Sequence, residues 1–299
     1  MSEYNIRHYQ EGDEIEQARI GLTMAKEWVY PTAQSADQLR ELYSRDGFDP
    51  ESRLYCFTKD GEMVGFITSR ILEGEDTLRA ELDFPIVQTG HEEVVDLLFN
   101  RAVEVLREKN VHTVESGFGL RGGSDKWAEK WGYKRIDELG VCYNLDLGSV
   151  GFKAVTANIL PFNSETDLDD CVNIFVSNYE LPGEAVKNFT MSILENEQTI
   201  AYYVQREDGE IVATGAIMKN RIVPTLAMLS AMYDKGLNYL EQLLTKLVER
   251  AREEGIERVL MFFTHLRPDD LLIQKYARLG FTPVGSNTIY EKKVNQSEV

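Results

Sequence analysis

Six consecutive residues stand where a predicted strand ends and a predicted helix begins: Lys235-Gly236-Leu237-Asn238-Tyr239-Leu240. The first backbone N–H groups of a helix have no partner within the helix, and the helix dipole places partial positive charge at the same end. A pyrophosphate suits such a turn, and the Lys235 ammonium group can add a cation. This turn is therefore a candidate anion-binding site.

A predicted strand and a long predicted helix position this turn. The strand covers residues 225–231, and the helix runs from about residue 236 to residue 254. Apolar residues recur along the helix at spacings of three and four, which predicts one face packed against a sheet. They are Leu240, Leu243, Leu244, Leu247, Val248 and Ala251. The helix is therefore predicted to be a core element.

Three landmarks occur twice along the chain in the same order: a hairpin closed by Asp-Gly, a helix running into a strand, and a helix closed by glycine. The hairpin turns are at residues 60–61 and 208–209, and the helices that run into strands are at 106–114 and 251–259. The helix ends closed by glycine are at 130–133 and 278–281. A repeat of this kind predicts a tandem duplication. The 299 residues are also about twice a usual domain length of roughly 100–150 residues. We predict two domains, residues 1–148 and residues 152–299.

Each half shows the same predicted order of elements. A strand and one or two helices come first, followed by three antiparallel strands, a long helix, a strand, a helix and one or two last strands. This order predicts the α/β class (α+β), in which each domain is a mixed, mostly antiparallel sheet flanked by helices.

In this order of elements, each half resembles the GCN5-related N-acetyltransferase (GNAT) family. The resemblance is sharpest in the second half, at residues 226–244 and at the helix Gln274-Lys-Tyr-Ala-Arg-Leu-Gly-Phe281. It implies two tandem acyl-CoA N-acyltransferase-like domains, with acetyl-CoA as acyl donor and a small-molecule amine as acceptor. Matched to the family's motif, the residues implied in coenzyme binding are Ala231, Met232, Lys235, Gly236, Leu237, Asn238, Tyr239 and Leu240.

The resemblance also implies a catalytic role for Tyr276. Attack of an amine on a thioester requires the departing thiolate to be protonated or stabilised. Family members use a tyrosine five residues before the Phe of Gly-Phe as that acid, and Tyr276 stands at this position. The alternative is a core tyrosine whose hydroxyl reaches the surface.

The first half departs from the family's pattern at both places. Glu92 and Glu93 stand at the helix start, where carboxylates would repel a pyrophosphate. Ala128 replaces the tyrosine. The first domain is therefore predicted to be degenerate and the second to be catalytic. The second copy departs as well, because Asn238 and Leu240 stand where the family prefers small residues.

A general base is not evident in the second half, where residues 225–231 contain no carboxylate. The matching strand of the first half contains Glu81 and Asp83. These two residues are either part of a composite site or solvated carboxylates at a strand end, and the second interpretation is favoured.

Charge and composition exclude several classes of function. The formal net charge of −18 argues against a nucleic-acid partner and favours attraction of cationic amines, although solubility alone also explains it.

No apolar run approaches the roughly 18 residues of a membrane span, so we predict a cytoplasmic protein without membrane association. The histidines show no zinc-ligand spacing, and no metal is predicted. Cys56, Cys142 and Cys171 are predicted to be buried free thiols.

Two functions of different classes remain. The first is an acetyl-CoA-dependent N-acyltransferase in which Tyr276 is the general acid. The second is a non-catalytic protein that keeps the same fold as a ligand-binding or interaction module with degenerate coenzyme sites.

Overall fold

The computed structural model describes residues 3–72, 78–121, 123–151, 155–235, 239–264 and 271–294. The first eleven regular elements are β1 (Tyr4–His8), α1 (Asp13–Met24), α2 (Ala36–Tyr43), β2 (Arg53–Thr58), β3 (Met63–Leu72), β4 (Arg79–Leu82), β5 (Ile86–Val87), α3 (Val94–Glu108), β6 (Thr113–Phe118), α4 (Asp125–Lys130) and β7 (Lys134–Asp146). The remaining ten are β8 (Ile159–Pro161), α5 (Ser164–Tyr179), α6 (Gly183–Glu195), β9 (Thr199–Glu207), β10 (Glu210–Lys219), β11 (Leu226–Asp234), α7 (Leu240–Glu253), β12 (Arg258–Thr264), α8 (Leu271–Arg278) and β13 (Thr282–Lys293).

Contacts divide the chain into two compact units. The first unit combines Met1–Val141 with Gly285–Val299, and the second unit is Cys142–Val284. The end of β7 therefore belongs to the second unit, and most of β13 belongs to the first. The domain limits predicted from the repeat, 1–148 and 152–299, remain a prediction about the two copies along the sequence.

The first unit is built on a sheet with the strand order β1-β2-β3-β4-β6-β13, in which β5 pairs with β3. β4 and β6 run parallel, whereas the other pairs are antiparallel. α3 packs on β2 and β3 through apolar side chains that include Leu98, Ala102 and Leu106. Cys56 lies in this core as a free thiol.

The second unit has the strand order β7-β12-β11-β10-β9-β8. β11 and β12 run parallel, and β10 pairs antiparallel with both β9 and β11. All six residues of the predicted apolar stripe on α7 are buried, which confirms this helix as a core element. The predicted α/β class, with mixed, mostly antiparallel sheets flanked by helices, is confirmed in both units.

The local turn chemistry explains two of the repeated landmarks. Asp208 and Gly209 both have positive φ, which matches the twist of the β9–β10 hairpin that they close. At the end of α8, Gly280 takes a positive φ and the Phe281 N–H donates to the Tyr276 carbonyl oxygen at 3.1 Å. This cap fixes the direction in which the chain leaves the helix that carries Tyr276.

Among the described residues, no helix is long and apolar enough to cross a membrane. Within the same residues, no group of three or more His, Cys, Asp or Glu side chains could hold a metal ion.

Candidate functional site

A β-bulge interrupts β11 at two of the predicted coenzyme-binding residues. Thr214 faces Tyr233 and Ala216 faces Ser230, so Gly215 alone stands opposite both Ala231 and Met232. Ala231 has a φ of 51°, a left-handed conformation that costs a non-glycine residue about 1–3 kcal/mol. Bulges of this kind redirect a strand and concentrate near active sites.

β11 and β12 separate directly before this bulge. Their parallel ladder covers only Leu226–Met228 and Arg258–Leu260, although the strands continue to Asp234 and Thr264. Residues 229–234 of β11 therefore pair with β10 on one side and have no strand partner on the other among the described residues. An unpaired strand edge can form hydrogen bonds with the amide groups of a ligand.

The first turn of α7 already holds an anion from the protein itself. The Asp234 carboxylate accepts hydrogen bonds from the backbone N–H groups of Tyr239, at 2.9 Å, and Leu240, at 3.1 Å. The Asp234 side chain is only 3% exposed, and the Lys275 ammonium group lies 3.4 Å from it. The carboxylate thus occupies the N–H groups that were predicted to bind a pyrophosphate.

Lys235 lies close to this turn, but it is paired elsewhere. Its ammonium nitrogen lies 2.9 Å from the Glu210 carboxylate, and both side chains are exposed. This hydrogen bond raises the pKa of Lys235 above its ordinary value. Tyr239 donates its hydroxyl to Glu207 at 2.6 Å. Gly236, Leu237 and Asn238, the other predicted members of the turn, lie outside the described residues.

Tyr276 lies on α8 and is 1% exposed. Phe263 and Phe281 contact its ring edge to face, at centroid distances of 4.9 and 5.1 Å. Burial raises its pKa well above the ordinary value near 10, and the Asp234 charge adds to this effect. Its hydroxyl has no hydrogen-bond partner among the described residues. Tyr276 is therefore protonated, and its hydroxyl group can donate a hydrogen bond to a ligand.

The first unit shows a corresponding break after β4. The parallel ladder between β4 and β6 ends at Glu81 and Glu115. The chain then passes through Phe84 and Pro85 into β5, which pairs with β3 at Gly65 and Phe66. At the start of α3, the Gly90 N–H donates to Glu92 at 2.9 Å, and Tyr4 donates its hydroxyl to Glu93.

Three cavities lie around this break, with volumes of about 280, 310 and 360 Å³. Trp28 and Arg121 line all three. The largest extends along β5 to Glu92 and Trp127, and the smallest lies against α1 and α2. The first unit thus contains concave sites, although its sequence predicts a degenerate domain.

Glu81 and Asp83 have arginine neighbours. Glu81 accepts from Arg70 at 2.8 Å, and Asp83 accepts from the Thr68 hydroxyl and lies 3.6 Å from Arg121. The side chains of Glu81 and Asp83 are 52% and 57% exposed. This arrangement fits solvated carboxylates at a strand end, as favoured from the sequence.

Asp234 is the main residue that sequence reasoning missed in this region. The available signal was an acidic residue shortly before the start of a predicted helix, a pattern typical of helix capping. The sequence instead predicts the anion-binding role for the neighbouring Lys235.

No protein-family model matches the chain, and no curated protein matches its sequence. Several solved structures are similar in fold. A GCN5-related N-acetyltransferase from Sphaerobacter thermophilus shares 14% identity over 99% of this chain and 97% of that chain, with a TM-score of 0.62. A tandem GNAT protein from the clavulanic acid biosynthesis pathway shares 16% identity over 99% of this chain and 100% of that chain, with a TM-score of 0.65.

A third similar structure is an acetyltransferase of the GNAT family from Colwellia psychrerythraea. It shares 14% identity over 97% of this chain and 100% of that chain, with a TM-score of 0.67. The chain therefore has the two-domain acyltransferase fold that its sequence predicts.

Proposed function

We propose that this protein is an acyl-CoA-dependent N-acyltransferase with acetyl-CoA as donor, and that transfer takes place in the cleft between β11 and β12 of the second unit. The observation that carries the proposal is the unpaired edge of β11 at residues 229–234, directly beside the bulge at Ala231 and Met232. Pantetheine is a chain with two amide groups, and a free strand edge offers matching donors and acceptors.

Tyr276 supplies the acid in this proposal. The acceptor nitrogen attacks the thioester carbonyl carbon, the C–N bond forms, and the C–S bond breaks. The leaving thiolate takes the phenolic proton of Tyr276, and solvent returns a proton to the phenolate while the acceptor amine loses one. The raised pKa of Tyr276 means that the phenol carries its proton when the thioester binds.

A small amine is the proposed acceptor, including a cationic one. A protein with net charge −18 raises the local concentration of cations around it. The neutral form of the amine is the nucleophile, so the same field favours the charged form that must lose a proton before attack.

One observation favours the second candidate, a non-catalytic ligand-binding or interaction protein. The Asp234 carboxylate occupies the first N–H groups of α7, and a pyrophosphate would have to displace it or bind elsewhere. Two anions at one helix start repel each other. On this alternative the cleft keeps its shape without binding a coenzyme.

Binding of acetyl-CoA separates the two candidates. A ligand present at 100 times its dissociation constant adds about 2.7 kcal/mol to the stability of the native state, so the thermal midpoint should rise with millimolar acetyl-CoA. The absence of any shift would favour the non-catalytic candidate.

The role of Tyr276 is tested by Tyr276→Phe. We expect at least tenfold slower amine-dependent release of coenzyme A thiol, about 1.4 kcal/mol in the barrier, while the acetyl-CoA shift persists. The matched control is Tyr133→Phe, a buried tyrosine of the first unit whose hydroxyl contacts Ser116 at 2.9 Å. Equal turnover of Tyr276→Phe and the parent protein at several pH values would remove the acid role.

A further inference from the structure

The smallest of the three cavities around the strand break in the first unit, about 280 Å³ in volume, is lined by more positively than negatively charged side chains. It lies against α1, α2 and β3, and three charged side chains line it: Arg53, Asp83 and Arg121. Arg121 lies 3.6 Å from Asp83 and donates to the Phe84 carbonyl oxygen at 2.9 Å. The cavity thus carries one excess positive charge, in a chain whose net charge is −18.

Arg53 supplies this excess charge. Its Nη1 group donates to the carbonyl oxygens of Ser52, at 3.0 Å, and Ser69, at 2.7 Å, and its Nε group donates to the Tyr43 hydroxyl at 3.3 Å. No carboxylate lies within salt-bridge distance of Arg53 among the described residues, and Nη2 has no partner there. Neutral acceptors hold the guanidinium in place without neutralising it.

Gln17 adds a second unused donor on the same walls. Its side chain is 4% exposed, and its Oε1 atom accepts from the hydroxyls of Tyr43, at 2.8 Å, and Tyr55, at 2.7 Å. Because two hydroxyls fix the oxygen, the amide nitrogen must point away from them. This nitrogen has no hydrogen-bond partner among the described residues, so it can donate to a ligand in the cavity.

Tyr43 connects the two donors, since its hydroxyl accepts from Arg53 and donates to Gln17. The remaining walls include aromatic and aliphatic side chains, among them Trp28, Phe66 and Phe84. A complementary ligand therefore needs one negative charge with acceptor oxygens at one end and an apolar body at the other.

We propose that this cavity binds a small organic carboxylate. The carboxylate accepts from Nη2 of Arg53 and from the amide nitrogen of Gln17, and the apolar body of the ligand lies against Trp28 and Phe84. A phosphate dianion fits less well, because a single unpaired cation would leave one of its charges uncompensated. The site lies in the unit whose sequence predicts a degenerate domain, and it does not depend on acyl transfer in the second unit.

Phenylacetate and phenylacetamide are suitable probes, because they differ mainly in the charge of the end group. Titration calorimetry without any acyl donor should detect binding of phenylacetate, with phenylacetamide at least tenfold weaker, about 1.4 kcal/mol. Equal binding of the two probes, or no binding of either at millimolar concentration, would overturn the proposal. So would competition by inorganic phosphate as strong as that of a second carboxylate, because it would show a general anion site.

Arg53→Gln should weaken phenylacetate binding at least tenfold and leave the weak binding of phenylacetamide unchanged. The matched control is Arg45→Gln, at an exposed arginine just after α2 that pairs with Glu41 at 2.9 Å. If Arg53→Gln does not fold, the comparison of the two probes on the parent protein still decides the question. Tyr276→Phe should not change phenylacetate binding, which separates this proposal from the acyltransferase proposal.

Discussion

The cleft of the second unit and the small cavity of the first unit differ in the kind of group that has no partner. In the cleft these groups are neutral: the backbone edge of β11 at residues 229–234 and the hydroxyl of Tyr276. In the cavity they are the donors of Arg53 and Gln17, and one of them is charged. The two units therefore differ in the ligand that their unpartnered groups would suit: a neutral amide chain in the cleft and an anion in the cavity.

The two units can also be compared at the starts of α3 and α7, where carboxylate side chains accept hydrogen bonds from backbone N–H groups. Each start has a carboxylate from its own chain: Glu92 accepts from Gly90, and Asp234 accepts from Tyr239 and Leu240. Glu92 is exposed, and its hydrogen bond with the Gly90 N–H lowers its pKa. Asp234 is buried beside Lys275. Among the described residues, the Tyr239 and Leu240 N–H groups at the start of α7 are therefore already occupied by a carboxylate of the chain itself.

The largest expected difference between the units is in the stability lost when the glycine beside each strand break is replaced by alanine. A Cβ atom on Gly65 would lie 2.9 Å from a methyl group of Val87 and 3.0 Å from the backbone oxygen of Ile86. Backbone cannot move without breaking the β3–β5 pairing, so Gly65→Ala should destabilise the first unit by about 1–3 kcal/mol. A Cβ atom on Gly215 would instead overlap the end of the Met232 side chain, which can rotate away.

Gly215→Ala should therefore cost the second unit less than about 1 kcal/mol, since the loss of glycine entropy in the unfolded chain offsets part of the crowding. Amide hydrogen exchange in β3 and β10 reports each unit separately. Equal losses of amide protection in Gly65→Ala and Gly215→Ala would contradict the prediction that a backbone neighbour resists the added methyl group more than a side-chain neighbour does.

Removal of the Asp234 charge at the start of α7 should have an effect of intermediate size on acetyl-CoA affinity and on stability. Asp234→Asn keeps an acceptor oxygen for only one of the two helix N–H groups and removes the negative charge, so acetyl-CoA affinity should rise at least tenfold, about 1.4 kcal/mol. Stability should fall by about 0.5–1.5 kcal/mol, because one helix N–H group loses its acceptor and the helix dipole loses its counter-charge. Calorimetric titration with acetyl-CoA measures the first effect, and thermal unfolding measures the second.

Glu92→Gln is the matched control in the first unit. It should leave acetyl-CoA affinity unchanged if the donor binds only in the second unit. A gain in affinity with Glu92→Gln and none with Asp234→Asn would move the donor site to the first unit, where the largest cavity reaches Glu92.

Local patterns in the sequence were enough to predict the elements around the site. The apolar stripe identified α7, and the two Asp-Gly turns identified the β2–β3 and β9–β10 hairpins. The strand predicted over residues 225–231 is longer in the structure and extends to Asp234. It continues because the bulge at Ala231 lets the ladder with β10 resume after an extra residue.

The polar groups of the site were harder to predict, because their state depends on partners far away in sequence. Arg53 begins a strand and looks like an ordinary surface residue, yet its charge remains unpaired because Ser52, Ser69 and Tyr43 offer only neutral oxygens. The position of Lys235 in the sequence predicts a phosphate ligand, yet Lys235 pairs with Glu210 across the β10–β11 hairpin. Such pairings are set by tertiary contacts and leave no periodic pattern in the sequence.

The smallest expected effect is that of alkaline pH on turnover in the second unit. Burial holds the pKa of Tyr276 well above its ordinary value near 10, so the phenol should remain protonated as pH rises toward 10. Turnover at saturating acetyl-CoA should therefore rise as the amine loses its proton and should show no fall below pH 10 from loss of the acid. Tyr276→Phe should lower the whole profile by one constant factor, and Tyr133→Phe should leave it unchanged. If the parent profile falls below pH 10 and Tyr276→Phe abolishes that fall, Tyr276 titrates in this range, and its phenol is then solvated in the working enzyme rather than enclosed by Phe263 and Phe281.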